Sequence, residues 1–404
     1  MTGLDLTSGF RQKGQGTAIL VGAGHGATHW NKALFFILLP YIQASLGLNY
    51  VQVSVFVTIL MLGSIVANLT GSIAIDVTGR RIPFQVLALV SGAAAMIIIG
   101  LTGSYWMICA MAVIIGAANF LWHPAAIPYL SDLFPDNKGY ALSIHGIGAS
   151  LGDMASPFIA GLVLVWLGSW QQTAIASALP IFMVAAALLI FLLPKEKPVD
   201  GEQKQGISFA EYMTGLRGII KERAVVGLAL MAGFRATAVN SILMFVPLYL
   251  VNDLNFTSIE MGSAMSVLQI GGLCAVMIAG ILSDSLGRRP IVMCGLMITT
   301  VMVIALIFIT DPVIYITGIA ALGFGLYSVR SVIHSWMMDI TPPHMGASAT
   351  GFLFTVQSVM SSATPIIGGL IADAFGVAAV FYFIAAIMLC ANAAALIIPN
   401  PNSE

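Results

Sequence analysis

GILSDSLGRRP, residues 280–290, has a second version in the first half of the chain, SIAIDVTGRRI, residues 72–82. Asp284 lies 208 positions after Asp76, about half of the 404 residues. An offset of 207 or 208 also relates Pro40 with Pro247, Asp132 with Asp339, and Pro157 with Pro365. Matched turn signals and prolines along the whole length indicate that a half-chain unit has been duplicated. The sequence therefore predicts two similar halves.

The composition is typical of a protein that lies mostly within a membrane. Hydrophobic residues make up 59% of the chain and charged residues 8%, and the mean hydropathy is +0.97. A soluble domain of this size carries far more charge. Six apolar runs in each half reach the roughly 20 residues that a helix needs to cross a bilayer. We expect an all-α membrane protein with twelve transmembrane helices in two pseudo-symmetric six-helix bundles.

One polar stretch separates the two halves. Residues 194–222 begin with a hydrated, charged segment and continue with apolar residues spaced on one helical face, which is typical of an amphipathic helix lying on a membrane surface. We therefore predict an N-terminal bundle in residues 1–193, a cytoplasmic linker in 194–222 and a C-terminal bundle in 223–404.

The basic residues predict the orientation, because short cytoplasmic loops retain lysine and arginine. With both termini inside, 13 of the 16 basic residues fall on the cytoplasmic side, and the other three lie within predicted spans. The polar first 16 residues precede a span that is too long for a cleaved signal peptide. We expect a multi-pass protein of the bacterial inner membrane with both termini in the cytoplasm.

Several functional classes lack their sequence signals. The four cysteines have no paired spacing, and there is no nucleophile motif, metal-ligand cluster on adjacent loops or phosphate-binding glycine loop. We therefore expect no enzymatic activity, cofactor, resident metal or nucleic-acid partner. The expected partners are the lipid bilayer and a small-molecule substrate, bound by a monomer.

The paired D-x-x-G-R-R motif, together with two six-helix halves and a polar central loop, resembles the major facilitator superfamily over nearly the whole chain. Glycine permits the tight reversal between helices, and the arginines anchor at the inner membrane interface. Ser72 stands where a glycine would begin the first copy. The resemblance implies a cytoplasmic gate formed by Asp76, Gly79, Arg80, Arg81, Gly280, Asp284, Gly287, Arg288 and Arg289.

Other stretches resemble drug exporters of this family. Residues 152–161 are similar to an antiporter element on the fifth helix, although small residues and a proline there also fit ordinary helix packing. His25, His29 and the segments 122–124 and 134–152 resemble the fosmidomycin-resistance-type branch, which implies proton-driven drug export. The arginine that other drug exporters carry on the fourth helix is absent, so its proton-relay role is not transferred.

Ionisable residues inside the spans are the main candidates for function, because burying them in a membrane costs free energy unless they face a cavity or a partner. In the fold that the resemblance implies, helices 1, 4, 7 and 10 line a central cavity. The candidate substrate-binding residues are Arg235, Arg330, His25, His29, His123, Lys32, Asn119, Trp122 and Asn240. Asp153 and His145 are the candidates for proton coupling, with the other histidines as relays.

Each candidate also has a structural interpretation. Lys32 can extend toward the outer interface, the histidines can be neutral and hydrogen-bonded between helices, and Asp153 can pair with a basic neighbour. Aromatic and asparagine side chains in such helices frequently serve packing.

Three basic residues against one deep carboxylate favour an anionic substrate. We therefore expect a secondary active transporter that exports a small organic anion or drug by alternating access, coupled to protons. Proton-coupled uptake of an organic anion or metabolite is one alternative. Another alternative is histidine-mediated transport of a metal or metal chelate, although Lys32, Arg235 and Arg330 would repel a cation. Its possible ligands are His25, His29, His123, His145 and Asp153.

Overall fold

A computed structural model describes residues 14–196, 222–341 and 346–398. All regular elements within these ranges are helical. They are α1 (Gln15–Leu46), α2 (Tyr50–Thr78), α3 (Ile82–Leu101), α4 (Tyr105–Leu133), α5 (Lys138–Leu167), α6 (Trp170–Ala176), α7 (Leu179–Phe191), α8 (Arg223–Asn252), α9 (Ser258–Leu286), α10 (Arg288–Ala305), α11 (Pro312–Ile340), α12 (Gly346–Phe375) and α13 (Val377–Ile397). Most of the predicted linker, with its amphipathic helix, lies outside the described residues.

The helices correspond to the predicted membrane spans. Eleven stretches of the described chain are long and apolar enough to cross a membrane, and α1, which has 32 residues, stands at the position of the remaining span. The sixth span consists of α6 and α7, which meet next to Pro180. A proline lacks the backbone N–H that a continuous helix would use there. The all-α class with six spans in each half is confirmed.

Local chemistry accounts for several helix ends. Thr257 and Glu260 form a capping box at the start of α9, each satisfying a backbone N–H of the other. Asp311 accepts a hydrogen bond from the backbone N–H of Ile314 and precedes Pro312 at the first turn of α11. α5 ends at Gly168, whose φ of 64° is favoured by glycine.

The described residues form two compact units. Unit 1 comprises those in 1–41 and 59–202, and unit 2 those in 42–58 and 203–404. The segment 42–58, which the sequence placed in the N-terminal bundle, therefore groups with the second unit. The predicted domain boundaries at 193 and 222 stay predictions, because residues 197–221 lie outside the described part of the chain.

Hydrogen bonds within unit 2 hold the segment 42–58. The Asp373 carboxylate on α12 accepts hydrogen bonds from the backbone N–H groups of Tyr50 (2.8 Å) and Val51 (3.1 Å), at the amino end of α2. The Asn252 side chain donates to the Gln43 side chain at 2.8 Å. A carboxylate is favourable at a helix N-terminus because it satisfies free N–H groups and faces the positive end of the helix dipole.

The same helix contact occurs in both units. In unit 1, a Cβ added to Gly116 of α4 would lie 1.9 Å from the backbone oxygen of Leu60 on α2. In unit 2, a Cβ added to Gly323 of α11 would lie 1.9 Å from the backbone oxygen of Leu268 on α9. Both pairs are related by the 207 or 208 offset. Small residues allow such backbones to touch, so the duplication extends to the packing.

Candidate functional site

Five predicted site residues of unit 1 come together where α1, α4 and α5 meet. His25 and His29 lie one turn apart on α1, so they share a face of the helix. His123 is on α4, and His145 and Asp153 are on α5. The structure therefore joins residues that are up to 128 positions apart in the sequence.

Glycines bring α1 and α5 close enough for these contacts. A Cβ added to Gly148 would lie 1.9 Å from the backbone oxygen of Gly22, and one added to Gly152 would lie 2.1 Å from that of Gly26. Real Cβ atoms do not approach so closely, so any larger residue would push the helices apart. Direct backbone contact lets side chains of α1 reach the backbone of α5.

His25 lies at the centre of the cluster, and 6% of its surface is exposed. Its Nδ1 is 2.8 Å from the backbone oxygen of His145, and the imidazole ring stacks on that of His145 with centroids 3.8 Å apart. A carbonyl oxygen can only accept, so Nδ1 carries the hydrogen. In the neutral ring, Nε2 then keeps its lone pair, and it faces Nε2 of His123 at 3.3 Å.

His29 and Asp153 form a hydrogen-bonded pair. Nδ1 of His29 is 2.9 Å from Oδ2 of Asp153, and both side chains are partly exposed, at 21% and 31%. The carboxylate accepts the Nδ1 hydrogen, which orients the ring and leaves Nε2 on its opposite side. The expected pairing of Asp153 with a neighbouring group is therefore present.

Trp122 positions His145. The indole is fully buried, and its Nε1–H donates to Nε2 of His145 at 3.1 Å. Tryptophan nitrogen can only donate, so this His145 nitrogen is an acceptor and its lone pair is occupied. The sequence marked Trp122 for substrate binding but gave no signal for this bond, because 23 residues separate the partners.

Three other residues that were predicted to bind substrate differ in burial and in hydrogen bonding. Lys32 is half-buried on α1, three residues beyond His29. Asn119 is buried on α4, and its side-chain nitrogen has no hydrogen-bond partner within the described residues. Asn240 of α8 donates to the backbone oxygen of Ala236 on its own helix at 3.0 Å. Their expected roles in substrate binding stay predictions.

Unit 2 contains two arginines on facing helices. Arg235 of α8 is buried, with 6% of its surface exposed, and its Nε–H donates to the backbone oxygen of Leu326 on α11 at 3.0 Å. Arg330 lies one turn further along α11 and is exposed, and its charge repels that of Arg235. Within the described residues, neither guanidinium forms an ion pair with a carboxylate.

His334 is a neighbour of this pair that the sequence did not single out. It follows Arg330 by four residues on α11, so both side chains share a helix face. It is half-buried, its Nε2 has no hydrogen-bond partner among the described residues, and the charges of both arginines act on it. Its helical spacing from Arg330 was the available signal.

Each copy of the arginine motif forms an ion pair with a repeat-related aspartate, but Arg81 is the second arginine of its copy whereas Arg288 is the first of the other. Nη1 of Arg81 lies 2.6 Å from Asp132, and Nε of Arg288 lies 3.0 Å from Asp339. Arg288 also pairs with Asp284. Asp132 and Asp339 were not predicted as gate residues, although their 207-residue offset marks them as a repeated pair.

The other residues of the two motif copies differ in backbone conformation, exposure and contacts. Gly79 and Gly287 have φ angles of 63° and 90°, which glycine adopts without strain. Arg289 donates to the backbone oxygen of Leu396, and Gly280 has open space beside it. Arg80 is exposed. The Asp76 side chain lies outside the described part of the structure, and the gate function stays a prediction.

A cavity of about 480 Å³ in unit 1 lies beside the histidine cluster but does not include it. It is lined by apolar residues of α1, α5 and α7, among them Ile19, Ile147, Leu151 and Val184. Its wall contains no ionisable side chain. We therefore locate the candidate site from the titratable groups and not from this cavity.

Comparisons with known proteins agree with this architecture. The family profile described as Major Facilitator Superfamily matches residues 21–365 and 228–404. The chain is 27% identical to the uncharacterised MFS-type transporter YfkF of Bacillus subtilis, over 80% of this chain and 81% of that protein. It is 23% identical to the multidrug efflux pump Tap of Mycolicibacterium fortuitum, over 95% and 94% of the two chains.

A solved structure shares the fold. The chain superposes on a bacterial homologue of the human lysosomal transporter Spinster, in an inward-facing and unoccupied conformation, with a TM-score of 0.81. The alignment covers 96% of this chain and 97% of the other, at 14% sequence identity. At this identity the likeness concerns the fold alone.

Proposed function

Because the chain belongs to the Major Facilitator Superfamily, and is thus a multi-span membrane transporter and not an enzyme, we propose that its substrates are small organic anions, including anionic drugs. The proposal includes phosphonates as well as carboxylates, since a guanidinium can bind either group through two hydrogen bonds. It places the protein in the bacterial inner membrane with both termini in the cytoplasm, as its basic residues favour.

The observation that carries this proposal is the burial of Arg235 without a carboxylate partner in the described residues. A buried guanidinium loses its hydration, and one hydrogen bond to a backbone oxygen offsets only part of that cost. The remaining N–H groups form a planar fork that matches a carboxylate or phosphonate. A bound anion would supply the missing negative charge.

Arg330 and His334 support the same interpretation. Arg330 acts electrostatically on Arg235, and both arginines act on His334, so the two guanidinium groups concentrate positive potential between α8 and α11. Like charges held close together repel one another, and an ion of opposite sign between them offsets this repulsion. A mobile anionic substrate fits this requirement better than a fixed structural pair.

For direction and energy source, we propose export driven by a proton gradient. The relative Tap is described as an efflux pump, and the sequence has no phosphate-binding glycine loop for nucleotide-driven transport. The proton-coupling roles expected of Asp153 and His145 stay predictions. Proton-coupled uptake is the alternative that the transport experiment must separate from export.

The test measures uptake of small carboxylates and phosphonates by inside-out membrane vesicles, whose lumen corresponds to the outside of the cell. Acidifying the lumen should drive these anions inward if the protein is an exporter that exchanges them for protons. An uptake system coupled to protons in the same direction would instead expel them. Saturable accumulation of cations only, with no anion transported, would contradict the proposed substrate class.

Arg235→Lys and Arg330→Lys test the site itself. Lysine keeps the charge but not the planar fork, so we expect the apparent affinity for the transported anion to fall about 10-fold or more in each variant. Arg223→Lys, an exposed arginine at the start of the same helix α8, is the matched control and should transport normally. Unchanged affinity in both site variants would remove these arginines from substrate binding.

A further inference from the structure

Three imidazoles of unit 1 lie close enough together to be candidate ligands of a single ion. His25, His29 and His123 can each offer a ring nitrogen, and these three atoms lie within 4.8 Å of one another. The rings come from two helices that are held by the packing of the unit, so their separation does not depend on a loop. The sequence suggested these histidines as possible metal ligands but could not show that they meet, since only two of the three share a helical spacing.

The distance between two of these nitrogens fits metal coordination. Nε2 of His25 and Nε2 of His123 are 3.3 Å apart. Two nitrogens bound at about 2.0–2.1 Å to a tetrahedral zinc ion would be separated by about 3.3–3.4 Å. Hydrogen bonds between nitrogen and its acceptor are mostly 2.7–3.2 Å long. The observed separation is thus at least as suitable for two metal ligands as for a hydrogen bond.

The groups behind the rings have the arrangement found around metal-binding histidines. Such histidines usually donate their second ring N–H to a carboxylate or a backbone carbonyl, which fixes the tautomer and aims the other nitrogen at the ion. Both cases occur here. His29 donates from Nδ1 to Asp153 at 2.9 Å, and His25 donates from Nδ1 to the backbone oxygen of His145 at 2.8 Å.

The two remaining histidines of the cluster differ in what they can bind. Nδ1 of His123 is buried without a hydrogen-bond partner among the described residues, so it can carry the hydrogen of the neutral ring. Its Nε2 then presents a lone pair to an ion shared with His25, whereas without an ion Nε2–H donates to Nε2 of His25. Nε2 of His145 already accepts the Trp122 N–H at 3.1 Å. His145 thus acts through its backbone oxygen and the stacking of its ring on His25.

We propose that His25, His29 and His123 bind a divalent transition-metal cation. Neutral imidazoles suit Zn²⁺, Cu²⁺, Ni²⁺ or Fe²⁺, whereas Mg²⁺ and Ca²⁺ prefer oxygen ligands. Three protein ligands leave a fourth position of a tetrahedral ion for water or a substrate oxygen. Asp153 is a positioning residue that compensates part of the positive charge through His29. The proposal does not depend on anion transport.

Binding is tested with Co²⁺ added to the purified, metal-stripped full chain in detergent. Tetrahedral Co²⁺ bound to nitrogen absorbs strongly in the visible range, and we expect one ion per chain. His25→Asn, His29→Asn and His123→Asn should each lower the affinity at least 100-fold. His334→Asn, a histidine of unit 2 outside the cluster, is the matched control and should bind as the native protein does.

Asp153→Asn separates a metal site from ordinary helix packing. We expect it to weaken Co²⁺ binding by about 10–100-fold while keeping one ion per chain, because it removes support for a ligand and not the ligand itself. If the histidine variants do not fold, added Zn²⁺ should still raise the unfolding temperature of the native protein. Folded native protein with neither a Co²⁺ spectrum nor stabilisation by Zn²⁺ would overturn the proposal, as would unchanged binding after replacement of all three histidines.

One further experiment distinguishes a resident ion from cargo, and a second separates metal binding from anion transport. A resident ion stays with the protein while vesicles are energised, whereas a cargo ion, tested with Zn²⁺ alone, is released into the lumen. Arg235→Lys should leave Co²⁺ binding unchanged. Metal binding in detergent can therefore succeed where anion transport fails, and the reverse, so the two proposals can be rejected separately.

Discussion

Unit 1 and unit 2 use the same helix packing for different chemistry. By the repeat offset, His123 corresponds to Arg330, and Arg235 corresponds to Ala27, between the two histidines of α1. In unit 1 the buried polar groups hydrogen-bond to one another and to Asp153. In unit 2 two arginines share a region without a carboxylate partner among the described residues. The duplicated scaffold therefore has kept its packing while its polar residues diverged.

The first way to test this comparison is to break the shared packing. Gly116→Ala in unit 1 and Gly323→Ala in unit 2 would each place a Cβ 1.9 Å from a backbone oxygen of the neighbouring helix. A backbone cannot move aside as a side chain can, so each variant should be destabilised by about 2–3 kcal/mol or fail to fold. Thermal unfolding of the purified proteins in detergent measures the loss.

The control for these variants is Gly146→Ala. Gly146 lies within α5, and a Cβ there meets no atom within 4 Å, so its unfolding temperature should not fall. A large loss in one unit and none in the other would show that the two glycine contacts are not equivalent. The scaffold could then no longer be treated as duplicated at this point.

The contrast between the units also shows what the sequence could and could not predict. The spans, the halves and the arginines within the spans follow from composition, repeat offset and charge, which are properties of the chain itself. The bond from His25 to the backbone of His145 was not predictable. It depends on the approach of α1 to α5 at Gly22 and Gly148, and a glycine does not reveal which helix it contacts.

The grouping of segment 42–58 with unit 2 is hidden in the sequence for a similar reason. Chain order places these residues with the first half, but Asp373 satisfies the backbone N–H groups of Tyr50 and Val51 from α12. Free N–H groups at a helix start can be recognised in a sequence, whereas the distant carboxylate that binds them cannot. His334 was overlooked although its spacing from Arg330 was visible.

Asp373→Ala gives the second test, and its expected effect is smaller. Removing a side chain that caps a helix typically costs about 1 kcal/mol. The repeat-related residue of α5 is Val165, so this position carries a carboxylate in unit 2 but not in unit 1. We expect a lower unfolding temperature and faster amide hydrogen exchange in residues 50–54, measured by mass spectrometry.

The control removes a carboxylate that caps nothing. Asp253 is exposed at the carboxyl end of α8, where its charge faces the negative end of the helix dipole, so Asp253→Ala should not destabilise the protein. Exchange that accelerates equally in both variants would point to a general effect of charge. The hydrogen bonds from Tyr50 and Val51 to Asp373 would then not explain why segment 42–58 groups with unit 2.

The smallest expected effect concerns the ion pairs Arg81–Asp132 and Arg288–Asp339, in which repeat-related aspartates bind different arginines of the two motif copies. Both aspartates are exposed, at 57% and 45% of their side-chain surface, so water and salt screen the attraction. Double-mutant cycles to alanine should give about 0.2–1 kcal/mol of coupling for either pair, and less at high salt.

Arg288→Ala also removes the pairing with Asp284, but this contribution cancels in a cycle with Asp339 if the two aspartates act independently. Unfolding at two salt concentrations measures both couplings. A coupling above about 2 kcal/mol in one unit alone would mean that the change of arginine has altered the strength of the ion pair.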